Sequence, residues 1–155
     1  MRNKQKGFSL IELLIVVAII LIIAAIAIPN LLRAKIAANQ ASAVGSLRTL
    51  NTACIAFSTS YGQYPAALSN MGPVGSGGTA SSTSADLIDS VLSAGTKSGY
   101  TFAFGPGSSN QSYTITATPI TAATTGQNRY YTDQSGVIRV DTSGTGAGAS
   151  STPIG

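Results

Sequence analysis

One segment near the amino terminus constrains this chain more than any other. It is an apolar run from Phe8 to Ile28 in which the only polar residues are Ser9 and Glu12. A helix rises about 1.5 Å per residue, so the run is long enough to cross a hydrocarbon core of about 30 Å. The sequence therefore predicts a membrane-spanning helix that carries one ionisable group.

Glu12 is the unusual residue of this run. A carboxylate at the centre of a bilayer is disfavoured by about 2.5–3.5 kcal/mol on insertion scales, so it needs a partner. If the chain were cut between Gly7 and Phe8, the new α-amino group of Phe8 would lie one helical turn from Glu12 and would be largely cationic. Within one chain these two charges could pair, but in an assembly the amine of one subunit could pair with the acid of its neighbour and fix the axial stagger between them. We interpret Glu12 and Phe8 as assembly residues.

The segment from Met1 to Gly7, followed by Phe-Ser-Leu-Ile-Glu, resembles the class III leader of type IV pilins and the related pseudopilins. The resemblance covers about a third of the chain and includes Gly7, Phe8, Glu12 and Pro29 in their expected relations. It implies that a prepilin peptidase cuts after Gly7 and that the same enzyme N-methylates Phe8. It also implies that Glu12 is needed for subunit docking.

The resemblance further implies a precursor held in the cytoplasmic membrane, with lipid around its helix and its carboxy-terminal domain outside the cytoplasm. The chain would then join a homo-oligomeric filament, either an extracellular pilus or a periplasmic pseudopilus. No phosphate-binding loop occurs in the sequence, so extraction from the membrane would need a separate ATPase motor and assembly platform. A major pilin, a minor pilin and a secretion pseudopilin share these features, and all three stay open.

Three other classes explain part of the segment. A secretory signal peptide would use the leader's basic residues and cleave near Ala25–Ala27, but its apolar core is usually only about 7–15 residues long and does not suit an acid. A plain single-pass anchor explains the apolar run but not Gly7-Phe8 together with Glu12. A membrane-tethered periplasmic binding domain would keep its leader or lose the whole segment.

The charge of the whole chain is dominated by its leader. The formal net charge is +4 and the pI is near 9.5, which suggests an anionic partner. Cleavage after Gly7 would remove three of the nine basic residues and leave six against five acids. We interpret the three leader charges as topology determinants and expect no general nucleic-acid binding. They are Arg2, Lys4 and Lys6.

Beyond the membrane segment, which ends at Pro29, the sequence predicts an amphipathic helix over 30–61. Its apolar stripe includes Leu47, Leu50, Cys54 and Phe57, and polar residues such as Asn51 fill other faces. Pro29 predicts a kink or local melting of the long helix, and Gly45 is a second position at which the helix is expected to be weak.

Residues 62–141 predict a globular domain of loops and short antiparallel strands. A helix over Ala85–Ala94, capped by Ser84, is followed by strands at 100–104, 113–118, 129–132 and 137–141, with a turn at 133–136. The fold class is thus α+β, with the long helix laid across a small sheet. Residues 142–155, almost wholly Ser, Gly, Thr and Ala, predict a flexible tail, and residues 1–7 are the leader.

Catalytic chemistry has few candidate residues. The chain has no histidine, and its one cysteine, Cys54, lies on the apolar stripe, where an inert thiol is expected. Asp133 and Asp141 could help to bind calcium, but turn chemistry explains Asp133 without a metal. We predict no enzyme activity and no cofactor, and we interpret the chain as a structural subunit that polymerises after leader cleavage.

Overall fold

The computed structural model describes residues 7–154 and divides the chain into two compact units, Met1–Lys35 and Ile36–Gly155. The first helix begins in the first unit and ends in the second. The helices and strands in chain order are α1 (Leu10–Tyr61), α2 (Ser90–Ser93), β1 (Thr96–Lys97), β2 (Tyr100–Pro106), β3 (Tyr113–Pro119), β4 (Arg129–Asp133), β5 (Arg139–Asp141) and β6 (Thr152–Pro153).

The second unit contains an antiparallel sheet in which each strand pairs with the next one along the chain, in the order β1 to β6. Alternation along β3 decides which side faces the core: Tyr113, Ile115 and Ala117 are buried, whereas the residues between them are more exposed. The four predicted strands are all present. The turn at 133–136 is confirmed by a hydrogen bond from the Gly136 amide to the Asp133 carbonyl (2.9 Å).

One face of α1 covers the sheet within the second unit. Leu47, Leu50, Cys54 and Phe57 recur at three- and four-residue steps, and none of these side chains is more than 2% exposed. They form one cluster with the inward-facing residues of the sheet. The α+β prediction and the role of this stripe as the cover of the sheet are confirmed.

Asn51 lies within this apolar contact, although the sequence placed it on a polar face. Its side-chain amide donates to Thr132 Oγ1 (2.9 Å) and to the carbonyl of Gly136 (3.3 Å), and its Oδ1 accepts from the Tyr113 hydroxyl (3.1 Å). A buried amide is stable only when such partners are present. The group therefore joins α1 to β3, to β4 and to the turn after β4 at one fixed position.

The predicted helix over Ala85–Ala94 is wrong in length and in its cap. Only Ser90–Ser93 is α-helical, and Asp89 rather than Ser84 caps it, through a hydrogen bond from the Leu92 amide (2.7 Å). The preceding amides have other partners: those at 85–88 donate to carbonyls between Asn70 and Gly72. These amides could donate within a helix or to the loop at 70–72, and in this structure they donate to the loop.

The predicted flexible tail is also corrected at its end. Thr152 and Pro153 pair with β5, Arg139 donates to the Ser151 carbonyl (3.1 Å), and the Ile154 amide donates to the carbonyl of Ile138 (2.8 Å). Ile154 also packs against the core. Composition alone did not predict this pairing, because the partners are backbone groups on the open edge of β5.

The helix α1 continues through both predicted weak points. Its backbone is helical at Pro29, so the local melting predicted there is not observed, whereas a bend of the axis stays a prediction. At Gly45, glycine disfavours a helix by about 0.8–1.0 kcal/mol relative to alanine. Among the described residues nothing lies within 4 Å of a Cβ added there. The folded chain therefore gives no steric reason for this glycine.

We predict that Asn51→Ala lowers the free energy of unfolding by about 2 kcal/mol, because it leaves the Tyr113 hydroxyl and the Gly136 carbonyl without a buried partner. Urea unfolding of the full chain in detergent, followed by circular dichroism, measures the change. The control is Thr52→Ala at the neighbouring exposed position, which we expect to change stability by less than about 0.5 kcal/mol. Equal effects of the two substitutions would contradict the assigned role of Asn51.

Candidate processing and assembly site

The bond between Gly7 and Phe8 lies ahead of α1 in a segment without regular structure. Both residues are exposed, and the Phe8 side chain is 80% exposed. Within the described part of the chain nothing lies within 4 Å of a Cβ added to Gly7. A protease can therefore approach this bond, while cleavage there stays a prediction. The three leader residues that we interpret as topology determinants, Arg2, Lys4 and Lys6, lie outside the described residues.

Ser9 and Glu12 form a variant of the capping box at the start of α1, in which the Ser9 hydroxyl accepts from the amide of Ile11 instead of that of Glu12. The Ser9 amide donates to Glu12 Oε2 (2.9 Å), and the Ile11 amide donates to Ser9 Oγ (3.3 Å). Two amide groups that the helix cannot pair are satisfied in this way. The carboxylate also lies at the positive end of the helix dipole, which favours an anion.

This geometry gives Glu12 a partner within its own chain. In the described chain the leader is attached, so the nitrogen of Phe8 is an amide and not a cationic amine. The predicted pairing between Glu12 and a neighbour's Phe8 amine is therefore a proposal about the processed chain. Before cleavage, the carboxylate is held by Ser9.

The first unit presents an apolar helix surface that nothing in it covers. Of the helices that the structure describes, α1 is the one that is long and apolar enough to cross a membrane, and its most apolar stretch is wholly unburied. Side chains around its full circumference are exposed, as the four consecutive residues Leu13, Leu14, Ile15 and Val16 illustrate, because successive residues point about 100° apart. A helix that is apolar all round requires lipid or other apolar helices as its surroundings.

The two carboxylates considered for calcium are occupied by hydrogen bonds in turns. Asp141 accepts hydrogen bonds from the Ser143 hydroxyl and from the amides of Gly146 and Ser143. The hydroxyl of Ser143 contributes most, and together these hydrogen bonds lower the pKa of Asp141 to about 2. Asp133 accepts from the Ser135 amide (2.9 Å). Residues 7–154 contain no group of three or more metal-ligating side chains. Turn chemistry thus accounts for both acids.

Cys54 is fully buried, with its sulfur 3.8 Å from that of Met71. Burial raises the pKa of its thiol to about 12. The thiolate is the reactive form, so the thiol is unreactive near neutral pH.

Comparison with known proteins places the amino-terminal segment in context. Residues 2–28 match the family model for the prokaryotic N-terminal methylation motif. The chain is 46% identical over 61 residues to the type IV major pilin protein PilA of Myxococcus xanthus, which is 39% of this chain and 28% of that relative. It is 68% identical over 40 residues to the type IV wide pilus major component PilA4 of Thermus thermophilus. These 40 residues are 26% of this chain and 30% of that relative.

A further relative is the type IV major fimbrial protein FimA of Dichelobacter nodosus, which is 52% identical over 59 residues, or 36% of this chain and 37% of that one. Part of this chain is thus similar to major components of type IV pili and fimbriae. The chain matches only about a third of the length of these relatives. No solved structure matches it significantly.

Ser9 is the site residue that the sequence analysis missed. A serine three residues ahead of a glutamate, at the start of an apolar helical run, is the usual pattern of a capping box. Ser9-Leu10-Ile11-Glu12 has that pattern. The charge of Glu12 suggests an ionic partner, whereas its partner in the structure is the neutral backbone amide of Ser9.

We predict that Cys54 in the folded chain reacts with iodoacetamide at pH 8 at least about a hundredfold more slowly than an unfolded cysteine, because its raised pKa keeps the thiol protonated. Mass spectrometry of the full chain in detergent measures the rate, with and without urea. The control carries Cys54→Ala with Thr59→Cys, which moves the thiol to an exposed position on the same helix. Similar rates for the two native proteins would contradict the burial of Cys54.

Proposed function

We propose that this chain is the structural subunit of a type IV pilus filament, assembled after removal of the leader at Gly7. The observation that carries the proposal is the uncovered apolar helix of the first unit, which begins with a carboxylate in its first turn. The names of the relatives, all major pilus or fimbrial components, support the same conclusion. They favour a major pilin over a pseudopilin.

The apolar helix has two environments that satisfy it equally well. In the precursor it lies in the cytoplasmic membrane, and in the filament it lies against the same segment of neighbouring subunits. Lipid tails are as apolar as leucine, so the hydrophobic effect alone does not favour one environment over the other. The polar groups at the helix start can supply part of the difference between the two environments.

Glu12 supplies that preference once the leader has been removed. Its carboxylate is disfavoured inside a bilayer, and before cleavage the described residues near it offer the Ser9 amide but no cation. A neighbour's Phe8 amine would supply the opposite charge, which makes burial tolerable and sets one axial stagger between subunits. In this scheme cleavage creates the amine, so the precursor cannot assemble prematurely.

The proposal requires other proteins. A prepilin peptidase with methyltransferase activity would cut after Gly7 and N-methylate Phe8. A membrane platform with an ATPase motor would extract the subunit from the membrane. The second unit, with its sheet and loops, would face outward from the bundled helices.

We predict that the wild-type chain sheared from cell surfaces begins at a methylated Phe8, whereas Gly7→Glu keeps its leader and stays in the membrane fraction. Added atoms at Gly7 meet nothing within 4 Å in the described chain, so the effect would come from protease recognition and not from misfolding. Intact mass and amino-terminal sequencing of both fractions provide the measurement. Ala38→Ser, an exposed change on the same helix, is the control and should be processed normally.

Other amino termini would contradict the proposal in separate ways. A wild-type chain that begins near Ile28 would indicate a signal peptide. Loss of the leader from the Gly7→Glu chain would disprove the assigned cleavage site. A chain that begins at Phe8 but never leaves the membrane fraction would indicate a pseudopilin or a minor pilin.

We predict that Glu12→Gln and Glu12→Ala both permit cleavage but are incorporated into filaments poorly beside wild-type subunits. Glutamine can still accept the Ser9 amide, so it preserves the capping box while removing the charge. The matched pair therefore separates capping from charge pairing. Quantitative mass spectrometry of filaments from cells that express both chains gives the incorporated fraction.

Normal incorporation of the Glu12→Gln chain, with failure of Glu12→Ala alone, would show that the cap rather than the charge is required. Normal filaments from cells that contain only the Glu12→Ala chain would disprove the pairing scheme altogether.

A further inference from the structure

The second unit has an open groove of about 510 Å³ between α1 and the sheet. Its walls are apolar and include Val44 from the helix and Val140 and Ile154 from the sheet, all of which are only partly buried. The polar side chains of Gln40 and Arg48 also border it. The groove is thus an apolar surface that the chain itself leaves uncovered.

Gly45 lines this groove, and the chain's own packing does not account for it. Glycine weakens the helix at this position, its backbone is helical, and an added Cβ would meet no described atom within 4 Å. An alanine would therefore fit the isolated chain and make α1 more stable. A glycine is useful where another backbone must come close, so the approach is expected from outside the chain.

We propose that this groove receives the apolar helix segment Leu13–Ile28 of a second copy of the chain. The inference rests on the proposed function and specifies one contact within the filament. An approaching helix fits the position of Gly45, because glycine at a helix interface permits the closest approach of two helix backbones. The groove would be closed by the neighbour and not by any residue of the same subunit.

The chemistry of the groove selects this segment of the second copy. An apolar groove excludes water, so its occupant must bring no polar side chain that would lose its hydrogen bonds. From Leu13 to Ile28 the sequence has no polar side chain, and the segment is helical and exposed. Arg48 can keep its charged end in water while its stem borders the apolar contact.

The test compares substitutions in full-length chains expressed beside the wild-type chain in filament-forming cells. Gly45→Leu and Ala41→Leu fill the groove from the helix side, and Ala38→Leu adds the same atoms at an exposed position that does not line the groove. The first two should lower the incorporated fraction by about tenfold, as expected for overpacking of an interface, and the third by less than about twofold.

Gly45→Ala separates folding from docking. It should raise the melting temperature of the full chain in detergent, because alanine is the better helix former, and yet lower its incorporation. A gain in stability together with normal incorporation would overturn the proposal. So would incorporation of the Gly45→Leu chain at the level of the Ala38→Leu control.

Cross-linking identifies the occupant directly and does not depend on the bulky variants. In chains with Cys54→Ala and Val44→Cys, which places a smaller side chain in the groove and keeps Gly45, a second cysteine is added in turn from position 13 to position 28, and isolated filaments are oxidised. Intermolecular disulfides at a few positions spaced by three or four residues are expected. Filaments without any such cross-link would overturn the groove contact, whereas failure of the wild-type chain to form filaments would contradict the proposed function itself.

Discussion

The second unit depends on one contact, the burial of a single face of α1 against the sheet. Leu47 and Leu50 from the helix and Ile115 from the sheet are fully buried in it. Apolar burial is not directional and would tolerate small shifts of the helix along the sheet. The hydrogen bonds of Asn51 to Thr132 and Gly136 remove that freedom, because they form at only one position of the helix. Apolar burial thus stabilises the contact between α1 and the sheet, and the hydrogen bonds of Asn51 fix the position of the helix along the sheet.

The chain closes its sheet with its own carboxy-terminal residues. The chain has a single cysteine, and it is buried on α1, so no disulfide within the chain holds this segment. Here β6 pairs with the edge of β5, and Ile154 reaches the core. Backbone pairing and one apolar side chain thus hold the carboxy-terminal segment against the sheet. Pro153 limits further pairing at the new edge, since proline has no amide hydrogen.

Local patterns predicted the elements whose cause is local. The three- and four-residue spacing of the stripe on α1 and the alternation of Tyr113, Ile115 and Ala117 gave the helix and a central strand correctly. The elements that were missed have distant partners. The segment at 85–88 donates to carbonyls near Met71, β6 pairs with β5, and Asn51 bonds to residues beyond position 112. No window of sequence around these residues contains the groups that determine their conformation.

In the proposed function, Glu12 at the start of α1 serves two successive states. Glu12 lies in a helix that is otherwise apolar through Ile28, and its nearest satisfied contact is the Ser9 amide of its own chain. A single amide satisfies part of a carboxylate's hydrogen-bonding capacity but does not neutralise its charge. The capped state is therefore stable enough for the helix to form and still favours a cation. In the proposed scheme a free amine at Phe8, which exists only after cleavage, would be that cation. Processing and assembly would then be coupled through a residue that the peptidase does not alter.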